Sequence, residues 1–238
     1  MRLLKSLFSK RSNNLENQIL NLPDAEISKL PKYLIYSQNL GLKAKAISNQ
    51  KCDYQLMLDN ELANTTPEVK KNQPAFACNE THIYWKTNLP YFVSVTTMKT
   101  PSVKTSNLKG WVESQDQMGQ MFGSMISFLN LPSKMKFGEY TRVQMIDLGQ
   151  SEIYNKLHNF EETHVYCHVF YLGNQLYKKF ILCAKQGITS WKVECTIPTE
   201  PNAVPTQNME LLGMVFGSFF CRDHDTENYK AAQAHFEK

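Results

Sequence analysis

Three consecutive strand-like runs separated by very short turns, from His164 to Ile197, limit this chain more than any other feature. They read HVYCHVFYL, QLYKKFILCA and ITSWKVECTI, joined at Gly173-Asn174 and Gln186-Gly187. Alternating apolar and polar residues around two-residue turns specify a meander of antiparallel hairpins. A mostly apolar segment, Met209 to Phe220, follows a polar loop and reads as a helix closing over one face of that sheet. With Gly173-Asn174 as a loop, Tyr171 pairs with Leu176 and Cys167 with Phe180. With Gln186-Gly187 as the next, Leu182 pairs with Trp191 and Phe180 with Val193.

This register sorts the side chains. One face gathers Val165, Cys167, Val169, Tyr171, Leu176, Phe180, Leu182, Trp191, Val193, Cys195 and Ile197, with Lys178 its sole charge. That is the expected core face. The other carries His164, Tyr166, His168, Lys179, Lys192 and Glu194 beside Ile181 and Cys183. A slip of one residue would mix the two sets, so the alternation itself supports the pairing. The polar set reads as a solvated or partner-covered face, and its six polar and aromatic members are the candidate partner-binding residues.

The rest of the chain supplies strands on both sides of one long helix. Strand-like runs occur at KYLIY, LKAKAI and CDYQLML between residues 32 and 58. A polar stretch from Glu61 to Pro74 reads as loop or linker. THIYWKT and YFVSVTTMK follow. Between Leu108 and Leu129 the apolar residues Trp111, Met118, Met121, Phe122, Met125, Phe128 and Leu129 recur at three- and four-residue steps, with Asn107 as the N-cap. EYTRVQMIDLG is a further strand, and a short helix is expected around Ser151 to Phe160. The expected organisation is an N-terminal helical arm (1–30), a strand-containing extension and linker (31–74), an α+β core (75–221) and a polar tail (222–238). The fold class is α+β, an antiparallel meander with helices at about 108–129 and 209–220 packed on it.

Composition narrows the function. The 238 residues carry a formal net charge of only +4, with the basic residues scattered, which argues against a nucleic-acid binder. The opening MRLLKSLFSKRSNN has its apolar run broken by Lys5, unlike a signal peptide, and no run reaches a membrane span's length. Leu3, Leu4, Leu7 and Phe8 suit a short turn that packs on the body, with weak contact to a membrane surface as the alternative. The six cysteines lack a C-x-x-C spacing and read as reduced thiols of a cytoplasmic protein.

Chemistry-bearing motifs are sparse. No G-x-S-x-G, P-loop, G-x-G-x-x-G or H-E-x-x-H is present. His164, Cys167, His168 and Cys183 are suitable zinc ligand types, but Cys167 falls on the opposite face and no carboxylate is placed by spacing to orient the imidazoles. Arg222-Asp223-His224-Asp225, with Cys221 beside it, reads as a solvated turn. The expectation is therefore a non-enzymatic protein with no cofactor and no metal. Met98, Met118, Met121, Met125 and Met135 cluster around the long helix as core filling, or as an adaptable groove.

The path from YFVSVTTMK through the helix, EYTRVQMIDLG and the meander to a last helix ending GSFF looks like the PsbP/DcrB-like superfamily. The residues that carry the resemblance are Gly173, Trp191 to Pro198 (WKVECTIP) and Ser218-Phe219, and it covers roughly residues 75–221. The resemblance implies an α+β fold and a role in holding other proteins, since some members load secreted effectors by holding their hydrophobic segments. The functional expectation is a bacterial cytoplasmic protein-binding module. An immunity protein against a toxic type VI-like effector comes first, and an effector-loading chaperone second. An enzyme or a ligand-binding protein stands further back.

Overall fold

A computed structural model of the chain describes residues 44–71, 78–99, 129–150, 152–158, 160–187, 189–200 and 206–221. Two antiparallel sheets make the body. The larger has seven strands: β3 (Glu68–Lys71), β4 (Cys78–Tyr84), β5 (Phe92–Lys99), β6 (Tyr140–Gly149), β7 (Glu162–Leu172), β8 (Gln175–Gln186) and β9 (Thr189–Thr199). Their spatial order is β3-β4-β5-β9-β8-β7-β6. The smaller sheet pairs β1 (Ala44–Asn49) with β2 (Tyr54–Asp59) and β2 with β10 (Phe220–Cys221). Helices α1 (Asn60–Ala63), α2 (Glu152–His158) and α3 (Thr206–Gly217) complete the described elements. The expected helix at about 108–129 lies outside the described residues, apart from Leu129. So does the KYLIY run.

The meander forms as the alternation dictates, with one correction. Tyr171 pairs with Leu176 and Cys167 with Phe180, as expected. Leu182, however, faces Val193 rather than Trp191, and Phe180 faces Cys195. The second turn sits one residue later than expected, because Gln186 still pairs with Thr189 and Gly187 takes the left-handed first loop position at φ 56°. The partners therefore move by two residues. An even shift returns every side chain to its own face, so the expected core face survives intact.

That face packs against the small sheet and α3. Val165, Cys167, Phe180, Leu182, Trp191, Val193, Cys195 and Ile197 share one buried cluster with Tyr54, Leu56, Leu58, Leu62, Leu212, Val215 and Phe219. Residues 44–63 thus bury their apolar positions in, or pack them against, the same core as the meander. The stretch read as loop from Glu61 onward instead holds most of α1, whose first turn is capped by Asp59 accepting from the Glu61 N–H at 2.8 Å, and β3. β3 is polar because it is an outer strand, with water on one side.

α3 ends at Gly217, earlier than expected. The Ser218 hydroxyl donates to the Met214 carbonyl at 2.5 Å and accepts from the Met57 N–H at 2.7 Å. A hydroxyl that competes for the last helical carbonyl ends the helix there. The chain then straightens into β10, with Phe220 opposite Gln55, while Phe219 is fully buried. Trp191, the first residue of WKVECTIP, donates its indole N–H to the Cys52 carbonyl at 2.8 Å and ties the two sheets together.

Candidate functional site

The second face of the large sheet places all six candidate partner-binding residues together, as expected, but buries them. His164, Tyr166, His168, Lys179, Lys192 and Glu194 are between 1% and 6% exposed. The reading as a solvated face is corrected by this burial.

At the centre, Lys179 lies 3.4 Å from Glu194 Oε1 and Lys192 lies 3.5 Å from the same oxygen. Glu194 Oε2 accepts from the Ser94 hydroxyl at 2.9 Å and from the Asn130 amide. Lys179 also donates to the Leu129 carbonyl. A further ammonium, Lys70, donates to the Leu131 carbonyl at 2.6 Å. The segment from Leu129 to Leu131 is therefore held onto the sheet by three polar anchors.

The electrostatics follow from burial. Lys179 is pushed down to about 8 by desolvation, with Glu194 opposing that shift. Burial alone would raise the Glu194 carboxyl, but Lys179 and Lys192, with hydrogen bonds from Asn130 and Ser94, outweigh it and hold it below the ordinary value.

His168 lies 3.1 Å from the Tyr140 hydroxyl. Burial first, then Lys179 and Arg142, push its pKa down from 6.5 to about 3. The unfolded chain binds a proton near 6.5 where the folded chain does not. Stability from this group is thus fully present above about pH 6.5 and is lost as pH falls toward 3. The total is on the order of 4–5 kcal/mol as an upper bound. Glu194 adds a loss of the same sign at lower pH still. Thermal unfolding at pH 7 and pH 4.5 is expected to show a clear acid destabilisation that His168→Gln flattens.

The histidine and cysteine group singled out for zinc separates. His164 stands opposite Cys183, as the trial register has it, while Cys167 points into the core. A carboxylate does orient His164. Asp147 of β6 lies 2.6 Å from its Nε2, a pairing across strands that sequence spacing does not reveal. Burial raises Cys167 to about 11 and Cys183 to about 12, so both remain thiols. The Arg222–Asp225 cluster lies outside the described residues, as does the Cys221 side chain.

A second constellation escaped the sequence reading. Cys52, in the turn between β1 and β2, meets Glu80 and His82 of β4 between the two sheets. The signal available was Glu-x-His, which places both side chains on one face of a strand. Its third member lies 28 residues earlier, where no periodicity points to it.

The surface offers a different kind of site. Among the described residues the exposed large apolar side chains are Val69 at 48% and Val143 at 53%. They lie on β3 and β6, the two outer strands of the seven-stranded order. Val143 is the extra residue of a bulge between Arg142 and Gln144, and a second register shift follows at Asp147/Gly149. Bulges keep an outer strand from pairing indefinitely with copies of itself while turning side chains outward.

No protein-family model matches the chain, and no curated protein matches it. Solved structures similar to it include the Ran-binding protein Mog1p of Saccharomyces cerevisiae, 11% identical with a TM-score of 0.40, over 79% of this chain and 99% of that one. A Pseudomonas aeruginosa protein of unknown function, described as a putative regulator, is 8% identical with a TM-score of 0.30, over 69% and 88% of the two chains. The cyanobacterial PsbP (CyanoP) of Synechocystis is 9% identical with a TM-score of 0.42, over 77% of this chain and 94% of that one. A PsbP protein is among the solved structures similar to this chain.

Proposed function

We propose that this chain is a non-enzymatic protein-binding module whose partner sits against the outer strands of the large sheet. The observation that carries the reading is the placement of Val143 and Val69. They are exposed large apolar side chains on the two outer strands, in a sheet whose central polar residues, among them Lys179, Lys192 and Glu194, are buried. Such a sheet is a stiff platform that presents edge side chains.

The finer reading is an immunity protein that neutralises a toxic effector, held as a folded partner. A chaperone for a detached helix needs a continuous apolar groove of anchors spaced along one side. Among the described residues the two exposed valines lie on opposite outer strands instead, which favours contact with a folded surface. Among the described residues, the buried cysteines Cys52, Cys167, Cys183 and Cys195 lie outside any disulfide, which suits a reducing compartment such as the cytoplasm. No helix among the described residues is long and apolar enough to cross a membrane.

The test is co-purification with the tagged full chain from its own cells. One stoichiometric partner is expected, which arrests growth when expressed alone and is harmless when this chain is co-expressed. A partner retained only through a detachable apolar segment would replace immunity with the chaperone role. No stoichiometric partner would overturn both.

A further inference from the structure

Cys52, Glu80 and His82 form a cluster that the partner-binding reading does not use. β4 pairs with β5 so that Glu80 faces Thr97 and His82 faces Val95, which puts both acceptor side chains on the sheet's core side. The β1–β2 turn lies against them. Its Cys52 is fixed at both backbone groups: the N–H donates to Asn49 Oδ1 at 3.0 Å, and the carbonyl accepts from the Trp191 indole at 2.8 Å. Asp53, next in the turn, takes a left-handed φ of 52°.

One carboxylate oxygen holds the group together. Glu80 Oε2 lies 3.9 Å from Cys52 Sγ and 3.9 Å from His82 Nε2. One donor atom from each of the three residues lies within 4.8 Å of the other two. Cys52 is 0% exposed, and Glu80 and His82 are 6% exposed. Lys51 pairs with the other carboxylate oxygen, Oε1, and its side chain is 64% exposed.

The Lys51 pair accounts for a carboxylate here, but not for a thiol and an imidazole converging on its second oxygen. His82 turns Nε2 toward Glu80 Oε2, where its other polar contact is a long 3.3 Å one from the Asn49 amide; Nδ1, the other ring nitrogen, is buried with no hydrogen-bond partner. Burial, the largest influence on its pKa, favours the neutral ring, which keeps a lone pair available for a ligand.

We propose that Cys52, Glu80 and His82 bind a divalent transition ion of the zinc type. A thiolate sulfur, an imidazole nitrogen and a carboxylate oxygen are its usual donors, at roughly 2.3, 2.0–2.1 and 2.0–2.2 Å. Tetrahedral geometry at those lengths places ligand atoms about 3.3–3.6 Å apart, so the two 3.9 Å spacings close by about half an ångström and the third, within 4.8 Å, by up to about 1.2 Å. The Cys52 thiol releases its proton to solvent as sulfur binds the ion. Thiolate and carboxylate together then neutralise the dication. Three protein ligands leave a fourth position for solvent. The ion clamps the β1–β2 turn to β4, closing the seam between the two sheets.

The test titrates cobalt(II), then zinc, into the full chain purified metal-free under reducing conditions. One equivalent of cobalt is expected to bind, with the intense visible absorption of a tetrahedral site and a near-ultraviolet thiolate-to-cobalt band, both abolished by zinc. Cys52→Ser is expected to lose the thiolate band, and Glu80→Gln and His82→Asn to weaken zinc at least about tenfold. Cys167→Ser is expected to bind as the wild type does. The proposal is overturned if no ion binds at micromolar concentration, or if the wild-type bands persist in Cys52→Ser. Should Cys52→Ser fail to fold, Glu80→Gln decides, since it keeps the side chain's shape; unchanged zinc affinity there overturns the site.

Discussion

Glu194→Leu is expected to destabilise the protein by about 3–5 kcal/mol, because it strands Lys179 without its counter-charge in the interior. Asn130 and Ser94 lose their acceptor in the same step. The cost is thus chiefly that of uncompensated buried charge, rather than the worth of the pair. Adding Lys179→Met is expected to recover part of the loss, since one stranded ammonium disappears. Urea unfolding of the single and double variants checks this. A change below about 1 kcal/mol for Glu194→Leu would contradict the buried network.

Trp191→Ala should cost a comparable amount, about 3–5 kcal/mol, as a fully buried large side chain leaves a cavity. Trp191 also contacts Phe160 and Phe219, with ring centroids 5.9 and 6.1 Å away. Its indole anchors the Cys52 carbonyl, so the β1–β2 turn is expected to loosen with it. Trp191→Phe retains part of the packing but removes the indole donor to that carbonyl, at about 1–3 kcal/mol. Urea unfolding measures both losses. Hydrogen exchange around Cys52 reads the lost indole anchor, which both variants share, while the extra urea sensitivity of alanine reads the emptied core.

The sequence was most legible where structure is local. Strict alternation from His164 to Ile197 assigned faces correctly even though the second hairpin pairs two residues away from the trial register, because faces depend only on parity. Ser218 also accepts from the Met57 N–H, 161 residues away, a contact that no local pattern records. The polar face was legible as a face but not as an interior. Its partners, Asn130 and the Leu129 carbonyl, are 64 and 50 residues from the groups they meet. Alternation says which side chains share a side; it does not say what covers them. The same limit hid Asp147 from His164, and Cys52 from Glu80.

Partner recovery by the Val143→Lys and Val69→Lys variants tests the central claim most directly. Each substitution changes an exposed outer-strand side chain, so stability should stay within about 0.5 kcal/mol. The measurement is the amount of partner co-purified per mole of tagged chain, beside the wild type. The account predicts a stoichiometric partner on the wild type and a loss of at least tenfold in one of the two variants. Equal recovery by both variants and the wild type would contradict it.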